Sequence, residues 1–175
     1  MIKKQKNMRK QLVFLLVIIA GINLVWSQPS VDKKTKAHIV NNKIKTQTNW
    51  EYKYVDDKPE KNGTKTSVTR YNPSGEIAEI TTYNPKGVII HVEKYRYDAA
   101  GNKLEYSRYT GGNEKQIAYQ KISKYNSRND VVEETGYDGV EKFHNKYSYD
   151  NNGNLKEILY EKNGSLVEKR VFKKE

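Results

Sequence analysis

Beyond its first 27 residues, the chain alternates short runs of β-branched and aromatic residues with clusters of Gly, Asn, Asp and Pro. The runs Glu76–Tyr83, Val88–Val92 and Leu166–Phe172 are typical of strands, because such side chains fit a pleated, half-buried surface. No segment past residue 27 keeps an apolar stripe at the helical period. The pattern predicts an all-β protein, built as an antiparallel β-hairpin meander of about ten strands in an open or curled sheet.

Aromatic residues recur through this region at intervals of 11 to 16 residues: Tyr71, Tyr83, Tyr97, Tyr109, Tyr125, Tyr137, Tyr149, Tyr160 and Phe172. A turn-forming cluster stands between consecutive members. Gly and Asn accept the positive φ of tight hairpins, so we assign structural turn positions to Gly75, Gly87, Gly101, Asn102, Gly153, Asn154 and Gly164. One such unit cannot bury a face alone, and the repeat therefore predicts units stacked side by side.

The start of the sheet is indicated by Trp50–Tyr54, where aromatic and charged residues alternate. A sheet in one layer hides less surface than a compact domain of the same length. Tyrosine suits it, because the ring packs across strands while the hydroxyl tolerates water. We expect Lys and Glu side chains to cover the opposite face.

The N-terminus has the pattern of a secretory signal peptide. Five basic residues precede an apolar stretch, Leu12–Trp26, and Ser27 offers a small residue before a cut. The competing interpretation is an uncleaved anchor, but this stretch has 15 residues and a membrane span takes about 20. The predicted organisation is a signal peptide at 1–27, a basic and poorly ordered linker at 28–48, and a repeat domain at 49–175, without an integral membrane span after cleavage. Such a protein is exported and becomes periplasmic, surface-exposed or secreted.

Charge argues against nucleic acid as a partner. The whole chain carries a net charge of +11, but without residues 1–27 it has 27 basic and 21 acidic residues, a net +6. Residues 71–175 are nearly balanced, with 17 basic and 16 acidic residues. A surface that follows phosphates needs clustered Lys and Arg with little compensating carboxylate. The chain has no Cys, so a disulfide framework is excluded.

Motifs for catalysis, metals or cofactors are weak in this sequence. The three histidines, His38, His91 and His144, have no partner at ligand spacing, so we interpret them as surface or strand residues. The turn glycines lack the spacing of a phosphate-binding loop. Asp150 begins a stretch that resembles a calcium loop, but Leu155 stands where that loop requires Gly, and we expect Asp150 to bond the turn backbone instead. We therefore predict no metal, no cofactor and no enzyme activity.

Two phrases of the sequence, YDAAGNKL at 97–104 and YDNNGNL at 149–155, resemble the YD repeats of the Rhs family. Residues 71–75 and 83–87 look like degenerate copies, so the likeness covers about residues 70 to 172. The resemblance implies β-hairpin strips, which in long members wrap into a shell around a toxin or act in adhesion and carbohydrate contact at cell surfaces. This chain is too short to close such a shell. A looser similarity to MORN-like antitoxin repeats is visible at 160–166.

These observations predict a noncatalytic binding or adhesion module that contacts a protein or glycan at the cell envelope. The candidate binding residues are Tyr97, Tyr109, Tyr149 and Tyr160, although packing alone would also explain their rings. Two alternatives stay open: an exported immunity partner of a toxin, and an enzyme whose dispersed site leaves no motif.

Overall fold

The computed structural model describes residues 29–173, so the predicted signal peptide at 1–27 lies outside the described residues. The described part contains one helix and twelve strands. They are α1 (Lys33–Asn41), β1 (Thr46–Glu51), β2 (Tyr54–Val55), β3 (Lys58–Pro59), β4 (Thr64–Tyr71), β5 (Ile77–Tyr83), β6 (Ile89–Tyr97), β7 (Lys103–Thr110), β8 (Ile117–Tyr125), β9 (Val131–Tyr137), β10 (Lys142–Tyr149), β11 (Leu155–Lys162) and β12 (Ser165–Val171).

Ten of the strands form one antiparallel sheet in the order β1-β4-β5-β6-β7-β8-β9-β10-β11-β12. Each strand after β4 pairs with the one before it in the chain, which confirms the predicted all-β meander of about ten strands. The sheet begins at Thr46, slightly before Trp50. The alternation at 50–54 does not continue one strand, because β1 ends at Glu51 and a separate two-stranded hairpin, β2–β3, follows.

Helix α1 lies within the segment that the sequence predicts to be a basic linker. Its start is fixed by Asp32, whose carboxylate accepts hydrogen bonds of 3.0 Å from the backbone N–H groups of Lys34 and Thr35. Ile39 is its one buried residue. The helix packs against the β4–β5 turn, because an added Cβ at Gly75 would lie 3.0 Å from the Lys36 carbonyl and from the Val40 side chain. This tertiary contact orders a segment whose own composition does not favour a helix.

The repeating tyrosines mark the ends of strands. Six of them are the last residue of their strand, namely Tyr71, Tyr83, Tyr97, Tyr125, Tyr137 and Tyr149. In β4, β5, β6, β8 and β10 the pairing register shifts by one residue immediately before this tyrosine. A shift of this kind is a β-bulge, which bends a strand and increases its twist. Because the residue left out of the pairing lies on the following strand, each repeat runs through a tyrosine, a turn and then a bulge.

The turns after five of these tyrosines share one geometry, the exception being the turn after Tyr137. In the first of them, Gly75 N–H donates to the Asn72 carbonyl at 2.9 Å, and the Asn72 side chain accepts from the backbone of Ser74 and Glu76. The same carbonyl bond spans 84–87, 98–101, 126–129 and 150–153. The fourth residue has positive φ at every one of these turns: Gly75, Gly87, Gly101, Asn129 and Gly153.

The two best repeats reinforce their turns with an asparagine. Asn102 donates to the Asp98 carboxylate from its backbone N–H at 2.8 Å and from its amide at 2.9 Å, and Asn154 makes the same two bonds to Asp150. Asp150 thus bonds the turn backbone, as predicted. The last hairpin turns through Asn163 and Gly164, which both have positive φ, the requirement of a two-residue type I′ turn.

The core is thin because the sheet has no second layer within the described residues. Ten of these residues are buried: Ile39, Gly75, Ile77, Val92, Tyr95, Ile158, Thr69, Thr81, Ser107 and Ser123. Val92 and Tyr95 belong to the same strand but point to opposite faces, so burial occurs on both faces. Side chains of neighbouring strands bury one another, and small polar residues fill the space beneath longer ones.

Replacing Gly101 or Gly153 by Val should lower the free energy of unfolding by about 1–2 kcal/mol each, because a β-branched residue is strained at positive φ. Their φ angles are 89° and 83°, and no atom lies within 3.7 Å of an added Cβ, so the loss would come from the backbone. Urea denaturation measures it. Asn129→Gly is the control and should cost less than either Val variant, because it removes only the exposed hydrogen bond from the Asn102 amide and leaves the backbone unstrained. Unchanged stability in both Val variants would contradict the turn geometry.

Candidate binding surface

The two faces of the sheet differ in chemistry. Alternate residues of a strand point to opposite faces, and paired residues of neighbouring strands share a face. We call the face that carries Tyr95, Tyr106, Tyr119 and Phe143 the aromatic face, and the opposite one the charged face. The expectation of tyrosine packing on one side and Lys and Glu on the other holds in part, because Glu93, Lys121 and Glu134 lie on the aromatic face and Tyr109 lies on the charged face.

A ladder of ion pairs crosses four strands on the charged face. The Lys124 ammonium contacts Glu133 at 2.6 Å, the His144 ring contacts Glu133 at 2.8 Å and Glu161 at 3.0 Å, and Lys146 contacts Glu161 at 2.9 Å. Hydrogen bonds from Lys124 and Lys146 lower the pKa of Glu133 and of Glu161, respectively. Exposed pairs of this kind contribute little stability each, but they keep charges of both signs interspersed on this face.

The aromatic face carries a continuous row of rings. Ring centroids are 5.1 Å apart between Tyr95 and Tyr106, 5.6 Å between Tyr106 and Tyr119, and 6.0 Å between Tyr119 and Phe143. These are the distances of interacting aromatic pairs, which contribute about 0.5–1.5 kcal/mol beyond the area they bury. Tyr95 is buried, whereas the other three rings of the row are partly exposed.

Gly136 allows the row to continue across β9. It pairs with Lys121 of β8 on one side and with Phe143 of β10 on the other. A Cβ at this position would lie 1.9 Å from the Gln120 carbonyl oxygen and 2.6 Å from the Phe143 ring. Because β9 has no side chain here, Tyr119 and Phe143 meet from strands that are not direct neighbours.

Two glutamates hold the hydroxyl groups beside the row. Glu93 accepts hydrogen bonds from Tyr95 and, at 3.3 Å, from Tyr106. Glu134 accepts from Tyr147 at 2.7 Å and pairs with the Lys121 ammonium at 2.7 Å. Burial, followed by the neighbouring glutamate, raises the pKa of Tyr95, Tyr106 and Tyr147. These hydroxyls therefore stay protonated and orient the rings.

The four predicted binding tyrosines occupy different places. Tyr160 lies on the aromatic face, with the Arg170 guanidinium 4.8 Å from its ring centroid. Tyr97, Tyr109 and Tyr149 stand at or next to the ends of strands. The Tyr149 hydroxyl donates to the Val131 carbonyl at 2.7 Å and ties β10 to the start of β9. Burial raises the pKa of Tyr97 to about 12. All four rings are partly buried, so packing within the sheet accounts for their positions whether or not they also bind a ligand.

The aromatic row itself was not among the sequence predictions. Its members lie inside strands, and the signal that could have found them is a second aromatic residue before the one that ends the repeat. The pair Tyr95 and Tyr97 shows this spacing, as does the pair Tyr147 and Tyr149. The two members of a pair lie two residues apart on one regular strand and point to the same side of it, so the pair marks the face on which the rings pack.

A small cleft lies at the end of the sheet that carries α1. Its volume is about 350 Å³, and it is lined by Lys36, Asn72, Ser74, Glu76, Tyr97, Asp98 and residues 99–101. A salt bridge between Lys36 and Glu76 closes one side. The next gap along this end is bridged by the Asn102 amide, which donates to Asn129 at 2.8 Å. The cleft is a polar gap between the turns at 72–76 and 98–101.

Comparison with known proteins gives a distant likeness. No protein-family model and no curated protein matches this sequence. Similar solved structures include a chain of the Tc holotoxin pore of Photorhabdus luminescens, at 18% identity and a TM-score of 0.47, covering 59% of this chain and 6% of that one. Another belongs to a complex of TcdB2, TccC3 and Cdc42, at 16% identity and a TM-score of 0.48, covering 69% of this chain and 8% of that one. Within residues 29–173, no helix is long and apolar enough to cross a membrane.

Gly136→Ala should lower the free energy of unfolding by about 3 kcal/mol or more, because the new methyl group overlaps a backbone carbonyl that cannot move without breaking sheet pairing. Gly87→Ala is the matched control: no atom lies within 4 Å of an added Cβ, and its φ of 78° should cost about 1–2 kcal/mol. Chemical denaturation compares the two. Equal losses would show that β8 and β10 do not approach Gly136 as described.

Proposed function

We propose that this protein is a noncatalytic, exported binding module, whose aromatic face holds a protein or a glycan at the cell envelope. The observation that carries the proposal is the row of Tyr106, Tyr119 and Phe143, three partly exposed rings in contact along one open face. Flat apolar rings beside polar groups provide stacking area at low cost in side-chain entropy.

Preorganisation supports a binding role for this face. The rings are held by contact with one another, and the Tyr106 hydroxyl is also held by the Glu93 carboxylate, so little side-chain freedom remains to be lost when a ligand arrives. The Lys121 ammonium beside Glu134 adds a charged donor at the border of the row. Aromatic centres with a polar rim are typical of recognition surfaces.

The allocation of titratable groups supports a noncatalytic role. Glu133, Glu161 and His144 form ion pairs with one another and with lysines on the charged face, and a structural role is sufficient to explain them. A repeat sheet uses most of its residues for stacking and offers an extended surface. Export follows from the basic, then apolar, pattern of residues 1–27.

The test is a glycan array and an envelope pull-down with the wild-type protein, followed by affinity measurement with two variants of β8. Tyr119→Ala removes a ring of the aromatic row and should weaken binding about tenfold or more, the scale of a contact residue at the centre of an interface. Ile122→Ala is the matched control, because Ile122 lies three residues further along the same strand, on the opposite face, and is 38% exposed.

Binding by Ile122→Ala should stay within about twofold of the wild type. Both variants are compared below the melting temperature of the less stable one, so that unfolding does not enter the comparison. A Tyr119→Ala variant that binds as tightly as the wild type would remove the aromatic row as the site. Absence of any ligand for the wild type would remove the binding role.

A further inference from the structure

Among residues 29–173, the sheet has two edges without a neighbouring strand, the outer side of β1 and the outer side of β12, and they are not equivalent. All residues of both strands are exposed. An unpaired edge presents backbone N–H and C=O groups to any strand that can align with it, and proteins usually protect such edges with bulges and charges. The two edges of this sheet differ in that protection.

Edge β12 is protected. Its pairing with β11 skips Val167, which makes this residue the extra member of a bulge. The Phe172 N–H donates inward to the Lys156 carbonyl, so by the period of two the backbone groups of Lys169 and Val171 point outward. Suppose that β12 paired antiparallel with β12 of a second copy, with the two-fold axis in the segment 168–170 that follows the bulge. The residue on the axis would then be Glu168, Lys169 or Arg170, and it would lie opposite its own copy. Like charges directly opposite one another are unfavourable.

Edge β1 lacks both kinds of protection. The register shift in its pairing with β4 leaves out Thr66 of β4, so the bulge is on the partner strand and β1 is regular. The Lys45 carbonyl accepts from Tyr71 N–H at 3.0 Å and the Asn49 carbonyl from the Thr66 hydroxyl at 3.3 Å, both on the inner side. By the period of two, Thr46, Thr48 and Trp50 direct their backbone groups outward.

We propose that β1 pairs antiparallel with β1 of a second copy of this chain, about a two-fold axis at Thr48. In such a pairing, the outward N–H and C=O groups of one β1 must lie opposite the outward groups of the other. Only registers that place Thr46, Thr48 and Trp50 opposite one another meet this condition. Centring the register on Thr48 pairs Thr48 with its copy, Thr46 with Trp50, Gln47 with Asn49, and Lys45 with Glu51.

This register is self-complementary along its whole length. The two Lys45–Glu51 pairs are of opposite charge, the two Gln47–Asn49 pairs join amides that both donate and accept, and the threonines form a favourable pair. No like charges oppose one another between residues 45 and 51. The described contacts of α1 are with the β4–β5 turn, so the helix packs on the inner side of β1.

The resulting dimer joins two ten-stranded sheets into one. Because the paired positions keep the same parity, the aromatic faces of both copies lie on the same side. Pairing one strand of six residues buries a small area, so the dimer should be weak and concentration-dependent. A closed two-fold contact also uses up the competent edge, which prevents open-ended growth.

Cysteine cross-linking tests the register, because the natural sequence has no Cys and any disulfide must come from the introduced residue. The complete 175-residue sequence is expressed and the purified product is oxidised at roughly 100 µM, where micromolar dimers are populated. Thr48→Cys should give a cross-linked dimer, since its Cα would lie about 5.5 Å from its own copy, within disulfide range. Thr46→Cys is the matched control, because its copy would lie about 14 Å away along the strand and should not react.

Sedimentation equilibrium on charge variants tests the same contact without oxidation. Glu51→Lys places like charges opposite one another at both ends and should weaken self-association about tenfold or more. The double variant Lys45→Glu/Glu51→Lys should restore it, and Lys169→Pro on the other edge should leave it unchanged. A monomer at every concentration, equal cross-linking at 46 and 48, or loss of the dimer in Lys169→Pro would each overturn the proposal.

Discussion

Absence of a second layer is the constraint on which the described structure depends. In a single-layer sheet, apolar surface can be buried only by side chains of adjacent strands. Every strand therefore needs neighbours whose side chains reach across to it. Rings are long enough to do this, and the contact between Tyr119 and Phe143 over Gly136 shows how far they reach. The small buried residues Ser107 and Ser123 fill positions beneath larger side chains. The rings of the aromatic face therefore serve packing between strands first. Only the part of each ring that stays exposed is available for binding.

The same constraint explains why some features could be predicted from the sequence. Turns and strand ends are local, since a glycine or asparagine at positive φ and an Asx side chain bonding its own turn need no distant partner. The meander, the positive φ of Gly101 and Gly153, and the role of Asp150 followed from such local patterns. Helix α1 did not, because its order depends on the Asp32 cap and on packing against the β4–β5 turn.

The aromatic row could not be read from periodicity because the bulges intervene. Each bulge places its extra residue at the start of the following strand, as Leu104 of β7 does opposite Tyr97, so counting back from the turn along both strands does not identify Tyr106 as the partner of Tyr95. Tyr97, Tyr109 and Tyr149 are conspicuous in the sequence because they precede the turns, and this position makes them parts of the strand ends. The distinction between the two sheet edges likewise depends on which strand carries the extra residue.

Contact between rings within one layer holds the aromatic face together. A double-mutant cycle of Tyr119→Leu and Phe143→Leu measures it most directly, since both variants keep apolar volume but remove the ring pair. The account predicts a coupling free energy of about 0.5–1.5 kcal/mol between the two positions, the worth of an aromatic pair. Additive losses, with coupling below about 0.3 kcal/mol, would contradict it, because two rings in contact across Gly136 cannot act as independent sites.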